Sequence, residues 1–180
     1  VNYGAIAAMI RGKHAFGYEF GSMGVELSSL RKPLTIRGSS HFLFATFTNH
    51  WNRHLATCNK YYDDAYAWSV ESGDYVTAGY ILAVRSTDRV IQGKYLPDLL
   101  EAFERDIIFP KKTGQVDMVD CITVGSIQSV KNLMGKTDRF DTYDDGGFNE
   151  AKFLVEYADK PLHLAYFYHG KIRNAYLFDT

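Results

Sequence analysis

Apolar residues along the chain fall into short runs separated by glycines and polar turns, and the spacing within each run predicts its structure. After Ser39 and Ser40, which are competent helix N-caps, apolar residues recur at intervals of three and four. This spacing is typical of one face of an α-helix. It predicts a helix over residues 41–61, whose apolar face consists of Phe44, Phe47, Trp51, Leu55 and Cys58.

Further helices are expected on both sides of this segment. The first 32 residues mix apolar runs with glycines and predict a weak helix followed by irregular or hairpin structure. From Leu96 onward, the apolar residues Leu99, Leu100 and Phe103 share one helical face. A short helix over residues 126–134 is expected to end at Gly135, because glycine is the usual residue just beyond a helix.

Other runs are rich in β-branched and aromatic residues, which favour strands. We expect strands at residues 33–37, within residues 63–74 between two turns, and at residues 80–84, 107–109 and 118–124. Three more are expected in the last forty residues, the final two joined by a tight turn at His169 and Gly170. These elements predict an α+β fold for a single domain over residues 1–180, with short antiparallel strands and with helices mainly in the N-terminal half.

Composition restricts the class of protein. Hydrophobic residues make up 46% of the chain and charged residues 23%, so enough apolar surface is available for a folded core. A formal net charge of -1, with no block of five like charges, argues against a nucleic-acid partner. No apolar run reaches the about 18 residues needed to span a bilayer. The first basic residue, Arg11, follows the opening apolar run, so no signal peptide is expected, and any leader would be missing from this sequence.

The two cysteines, Cys58 and Cys121, form no CxxC pair and have no metal-ligand spacing with histidine. A disulfide framework and a structural zinc site are therefore not expected, and no metal ligands are assigned. Each cysteine lies in an apolar segment, which favours a buried, inert thiol over a nucleophile. The sequence also lacks the glycine-rich phosphate loops, the hydrolase elbow and the zincin motif.

The segment TIRGSS, residues 35–40, is the main candidate for chemistry. An arginine at the end of a strand can bind a phosphate or a ribose with directional hydrogen bonds, and a following glycine lets a ligand approach the backbone. Arg37 and Gly38 have this arrangement, with Ser39 beside them. The alternative is that Arg37 is a surface residue in a turn.

The order of these motifs resembles that of the ADP-ribosyltransferase toxins and effectors of the Arg-Ser-Glu type. In that family a strand ends in Arg-Gly, a later strand carries an aromatic-Ser motif, and an acidic residue near a third strand completes the NAD site. Here TIRG matches the first motif, AYAWSVES offers Ser69 or Ser72 for the second, and FERDIIFP resembles the third. Asp106 then stands where the family has its catalytic glutamate, and Glu104 precedes it by two residues.

The chain more closely resembles type III secreted effectors of the EspJ and HopF kind, which pair the arginine with a late aspartate. That residue would be Asp145. We favour Asp145 over Asp106 because helical periodicity is expected to tether Asp106 at a helix end, whereas Asp145 precedes two glycines in a loop. The alternative interpretation of the sequence YDDGG is a solvated turn.

The resemblance implies a site that holds NAD as a substrate. Cleavage of the nicotinamide–ribose bond passes through an oxocarbenium-like state, which a carboxylate beside the ribose stabilises. Arg37 would bind the pyrophosphate or ribose, Ser69 would take the place of the motif serine, and His41 would bond a ribose hydroxyl. Phe42, Phe44 or Trp68 would stack on nicotinamide, although rings at such positions more often pack in a core.

The predicted function is transfer of ADP-ribose from NAD to a host protein, with a kinase as the target that the resemblance implies. The protein would be a monomeric bacterial effector secreted into the host cell cytosol. A catalytically silent protein-binding module on the same fold is the first alternative. The second is a metal-dependent nucleotidyl transferase that uses Asp144 and Asp145.

Overall fold

The computed structural model describes residues 1–30 and 33–178, and all regular structure in these ranges is helical. The α-helices are α1 (Asn2–Met9), α2 (His14–Ser29), α3 (Leu34–Phe47), α4 (Cys58–Glu71), α5 (Tyr75–Ile91), α6 (Leu96–Asp106), α7 (Ile108–Lys112), α8 (Val116–Ile122), α9 (Gln128–Leu133), α10 (Glu150–Glu156) and α11 (Pro161–Phe178). None of the described residues lies in a strand. The predicted α+β fold, with its antiparallel strands around an NAD cleft, is therefore wrong.

Contacts between Cα atoms divide the chain into two compact units, Val1–Arg85 and Ser86–Thr180, with the boundary inside α5. The expectation of a single domain over residues 1–180 stays a prediction. No helix among the described residues has the length and apolar character needed to cross a membrane.

In the first unit, α1 and α2 cross at glycines. A Cβ atom on Gly17 would lie 2.7 Å from the carbonyl oxygen of Gly4 and 2.8 Å from the Cβ of Ala8. A Cβ on Gly4 would lie 2.6 Å from the carbonyl oxygen of Gly17. Real side chains do not reach such distances, so the two backbones approach each other only because both positions lack a side chain. The glycines that weakened the helix prediction for this segment therefore serve helix packing.

The core of the first unit lies where α3 and α4 pack together. Tyr62 and Ala65 of α4 are fully buried with Ala45 of α3, and Phe42, Tyr61 and Tyr66 pack around them. In α4 the buried residues recur at helical spacing: Cys58, Tyr62, Ala65 and Ser69. This pattern gives α4 the apolar face that holds it against α3.

In the second unit, α8 continues into α9 through a π-helical segment, Thr123–Ile127. Such a segment shifts hydrogen bonds by one residue, and the Gln128 N–H bonds the Thr123 carbonyl. The Gly125 carbonyl accepts a hydrogen bond from Arg173 Nη2 of α11 at 3.2 Å. A Cβ on Gly125 would lie 2.8 Å from the ring of Tyr166, so glycine is what lets α11 pack this closely.

A buried polar network also fastens α11 to α9. Asn174 Nδ2 donates to the Ser129 carbonyl at 2.9 Å and to Asn132 Oδ1 at 2.9 Å, and its Oδ1 accepts from Ser129 Oγ at 2.7 Å. Because the amide of Asn174 is satisfied on both sides, its burial does not cost an unpaired polar group. Beside this network, the apolar core contains Val124, Tyr143, Phe153 and Phe167.

None of the predicted strands forms in the described residues. Residues 33–37 begin at the N-cap of α3, 63–71 lie within α4, 80–84 lie within α5, and 107–109 run into α7. Residues 118–124 belong to α8 and the π segment. Residues 141–149 are turns and loop, and residues 150–178 contain α10 and α11, with the expected turn at His169 and Gly170 inside α11. The helix predicted over 41–61 is two helices, because α3 ends at Phe47 and α4 begins at Cys58.

These errors share one physical cause. Strand preferences differ between residues by about 1 kcal/mol, whereas burying one large apolar side chain contributes about 1.5–3 kcal/mol. Packing therefore decides the structure of a short apolar run. The longer helical signals were read correctly: α6 buries Leu99, Leu100 and Phe103, and Gly135, with a φ of 68°, follows the end of α9.

Candidate binding site

Arg37 lies in the first turns of a helix and not at the end of a strand. Its Nη2 donates a hydrogen bond to the carbonyl of Ser29 at 2.9 Å, in the last turn of α2. Carbonyl groups in the last turn of a helix have no partner within the helix, and a cation there also interacts favourably with the helix dipole. The guanidinium therefore stabilises the C-terminal end of α2.

Three of the predicted NAD-binding residues meet where α3 packs on α4. A Cβ on Gly38 would lie 2.8 Å from Ser69 Oγ, and both residues are buried. His41 is buried beside them, with its Nδ1 3.0 Å from the Arg37 carbonyl. Burial lowers the pKa of His41, against the opposing effect of that backbone hydrogen bond. The contact between Gly38 and Ser69 is helix packing.

The aromatic candidates are part of the same packing. Phe44 is fully buried, and its ring contacts those of Tyr18 and Tyr61. Trp68 meets His41 edge to face, with ring centroids 4.8 Å apart. Phe42 packs on the core and lies near Tyr62. These rings hold α3 and α4 together.

Ser39 has a different setting. It lines a shallow cleft of about 380 Å³ whose other lining residues include Thr35, Ser40 and Leu43. The cleft brings several hydroxyl groups of the TIRGSS segment to the surface, and Arg37 is not among its lining residues.

The candidate acids belong to the second unit, and each is described there. Asp106 is the last residue of α6 and forms an ion pair with Arg89 at 3.6 Å, which confirms the expected tethering at a helix end. Glu104 is exposed on the same helix. The oxygens of Asp144 accept from the N–H of Glu150 at 2.6 Å and from Thr142 Oγ1 at 2.9 Å.

Both oxygens of Asp145 also have partners within the chain. Its Oδ1 accepts from the N–H groups of Gly147 and Phe148 at 2.7 and 2.8 Å, and its Oδ2 accepts from Lys131 at 2.9 Å and Gln128 at 3.3 Å. Burial alone would raise the pKa of Asp145, but the hydrogen bonds from Lys131, Gly147 and Gln128 outweigh it and lower the pKa. The carboxylate organises the loop before α10, and its catalytic role stays a prediction.

Both cysteines are buried and form no disulfide, as the apolar periodicity indicated. Burial raises the pKa of Cys121 to about 12, which keeps it a thiol at neutral pH. Among the described residues there is no group of three or more His, Cys, Asp or Glu side chains that would hold a metal ion.

A row of exposed apolar residues in the first unit lies along α2. We call it the α2 stripe, and it consists of Phe16, Phe20, Met23, Leu27 and Leu30. The side chains of these residues are 39–81% exposed, although each is large and apolar. Their spacing alternates between four and three residues, which is the heptad spacing of a coiled-coil seam.

Large exposed residues lie on one side of α2, and small buried residues lie on another side. An α-helix turns by about 100° per residue, so the stripe occupies a sector of about 80°, and the small residues Gly17, Gly21 and Ser28 lie together on another side. That small-residue side is buried, with Gly17 against α1 and Gly21 against Phe44 and Thr48 of the α3 end. The stripe faces outward and no described helix of the first unit covers it.

The sequence carried a signal for this stripe that our interpretation missed. The heptad spacing is visible in residues 16–30, but the glycines of the same segment led to an expectation of weak helix and irregular structure. Only the packing of α1 on those glycines shows that they strengthen the helix pair.

No protein-family model matches the chain, and neither a curated protein nor a solved structure is similar enough to count as a match. The resemblance to ADP-ribosyltransferase effectors therefore depends on its short sequence motifs alone.

Proposed function

We propose that this chain is a protein-binding module that docks an amphipathic helix of a partner protein on the α2 stripe. The observation that carries the proposal is the exposure of a large apolar row at coiled-coil spacing. Single exposed apolar residues are ordinary, but a contiguous row on one helix face is typical of an interaction surface. A helix laid along the row would place its own apolar residues between these side chains.

The size of the row sets the expected affinity. Burying the exposed half of each side chain contributes about 1 kcal/mol, or about 5 kcal/mol for the row, and the partner's seam contributes a similar amount. Association costs about 4–15 kcal/mol. At most about 6 kcal/mol then remains, which corresponds to a dissociation constant of about 40 µM or weaker, so the expected complex is weak and reversible.

Replacing stripe residues should weaken helix binding without unfolding the protein. The probe is a fluorescent synthetic helix with leucine at its heptad seam, and fluorescence anisotropy measures its affinity. Leu27→Ser and Phe20→Ser should each weaken binding about tenfold, because each removes an apolar contact. Thermal unfolding should change less for Leu27→Ser than for Phe20→Ser, because Leu27 is 54% exposed whereas Phe20 is 39% exposed and packs on the ring of Phe16.

The matched control is Val155→Ser, which makes the same kind of change at an exposed apolar residue of α10. Its affinity for the helix should equal that of the wild type. If the probe fails to bind the wild type, or binds all of these variants equally, the stripe is not a docking surface.

ADP-ribosyl transfer and metal-dependent nucleotidyl transfer stay predictions. We rank the binding module above them because Arg37, Gly38, His41 and Phe44 have packing or capping partners within the helices, and both oxygens of Asp145 have partners in their loop. A host protein as the partner and the host cytosol as the location belong to the effector hypothesis and stay predictions.

A further inference from the structure

Two glutamates lie beside the α2 stripe, on one flank only. Glu19 and Glu26 are both exposed and are seven residues apart. At about 1.5 Å per residue they are about 10 Å apart along the axis, and at about 100° per residue both lie about 60–80° from the centre of the stripe. In a coiled coil these are the positions that face the flank of the partner helix.

Neither carboxylate has an ion-pair partner within the described part of the chain. They are the only Asp or Glu side chains of α2, which has no Lys or Arg. The other flank of α2 carries no charged side chain, because Gly17 and Gly24 occupy it and pack on α1 and on the backbone nitrogen and side chain of Val1. The acidic side chains of α2 therefore face only one edge of a partner's apolar seam.

We propose that the partner helix carries Lys or Arg side chains along one flank of its apolar seam, opposite Glu19 and Glu26. This inference rests on the proposed docking function and specifies the chemistry of the partner. Charged flanks set partner choice in coiled coils through attraction to the right helix and repulsion of the wrong one. The two unpaired carboxylates would select a basic helix and reject an acidic one.

A second copy of this chain paired antiparallel fits the surface less well. If two α2 helices paired antiparallel about Met23, Glu19 of one copy would lie next to Glu26 of the other. Both such contacts bring like charges together, which disfavours the pair. A basic helix removes this repulsion and forms two attractive contacts instead.

The test uses two labelled peptides of about three heptads with the same leucine seam, one with lysine and one with glutamate at the flanking positions. The intact protein is titrated at low salt and fluorescence anisotropy is recorded. We expect the lysine peptide to bind about tenfold more tightly than the glutamate peptide, and the difference to shrink at high salt as screening increases. The double variant Glu19→Lys/Glu26→Lys should prefer the glutamate peptide.

The matched control is Glu71→Lys/Glu156→Lys, which changes the net charge equally at exposed positions on α4 and α10. It should keep the wild-type preference for the lysine peptide. Equal binding of both peptides to the wild type would overturn the inference about charge and leave the docking function standing. Failure of both peptides to bind would overturn both. A dimer of the protein alone that Leu27→Ser abolishes would identify a second copy as the occupant and overturn the basic-helix proposal.

Discussion

At the scale of single residues, side chains that the sequence motifs predicted to bind NAD instead contact other parts of the protein. Arg37 is the example: the motif TIRGSS predicted a ligand-binding guanidinium, and Nη2 bonds the Ser29 carbonyl at the end of α2. A motif specifies which atoms are close in sequence. Whether a guanidinium faces a ligand or a helix end depends on the backbone that carries it.

Replacing Arg37 should therefore cost stability. Arg37→Ala removes a charged donor from the Ser29 carbonyl in the last turn of α2, and the free energy of unfolding should fall by about 0.5–1.5 kcal/mol. Urea unfolding followed by circular dichroism measures the change. Arg11→Ala is the control, because Arg11 lies in an exposed turn between α1 and α2. An unchanged stability for Arg37→Ala would show that the capping bond contributes nothing.

His41 should make the stability depend on pH. Burial lowers its pKa in the folded protein, so the unfolded chain binds the proton more readily below the unfolded value of about 6.5. Stability should be highest above that pH and should fall as the pH drops through the folded pKa. His41→Gln should flatten the dependence of melting temperature on pH between about 7.5 and 5.5.

The control for this pH dependence is His54→Gln, at an exposed histidine whose ring accepts a local hydrogen bond from the N–H of Ala56. The slope of melting temperature against pH should remain steeper in this variant than in His41→Gln. An identical slope in His41→Gln and the wild type would show that another group causes the acid sensitivity.

At the scale of elements, the pairing of α1 with α2 shows how helix propensity and packing oppose each other. Alanine is preferred over glycine inside a helix by about 1 kcal/mol, so Gly17→Ala would stabilise an isolated α2. In the folded protein the added Cβ would lie 2.7 Å from the Gly4 carbonyl oxygen. The packing effect is the larger because α1 must move away along its whole contact.

Gly17→Ala should accordingly lower the free energy of unfolding by about 1–3 kcal/mol despite the better helix propensity. Thermal unfolding provides the measurement. Gly146→Ala is the control, because a Cβ there meets no atom within 4 Å. Greater stability of Gly17→Ala than of the wild type would mean that α1 is not held against α2 at this point.

The elements also show how long an apolar pattern must be for the sequence to predict a helix correctly. The helix α6 was predicted from the spacing of Leu99, Leu100 and Phe103, which bury together on one face. For α5 the strand prediction considered only residues 80–84, which are too few to show helical spacing. The whole helix buries Ala78, Ile81, Leu82, Arg85 and Ser86 at helical spacing.

At the scale of the whole molecule, binding and transferase functions make opposite predictions for NAD. On the proposed function, incubation with labelled NAD and candidate acceptor proteins should give the same background for the wild type, Arg37→Ala and Asp145→Asn. Labelling by the wild type that both variants lose, while circular dichroism shows them folded, would instead support ADP-ribosyl transfer. Scintillation counting of the acceptor band supplies the readout.

The sequence by itself determined the features that depend on a few neighbouring residues. Local spacing predicted the helix α6 and the burial of Cys58 and Cys121. Local turn chemistry predicted the end of α9 at a glycine and the loop around Asp145. These features need no information from distant parts of the chain, because their main interactions are with residues a turn or two away.

Only the tertiary structure decided whether each short apolar run became a helix or a strand, and which face of each helix remained exposed. A run of five apolar residues is compatible with a buried strand or a buried helix, and the difference in local preference is about 1 kcal/mol. Burial against other helices outweighs that difference, and burial depends on residues far away in the sequence. For the same reason the glycines of α2 became a packing surface, and the five large apolar residues on another side of the helix became the stripe.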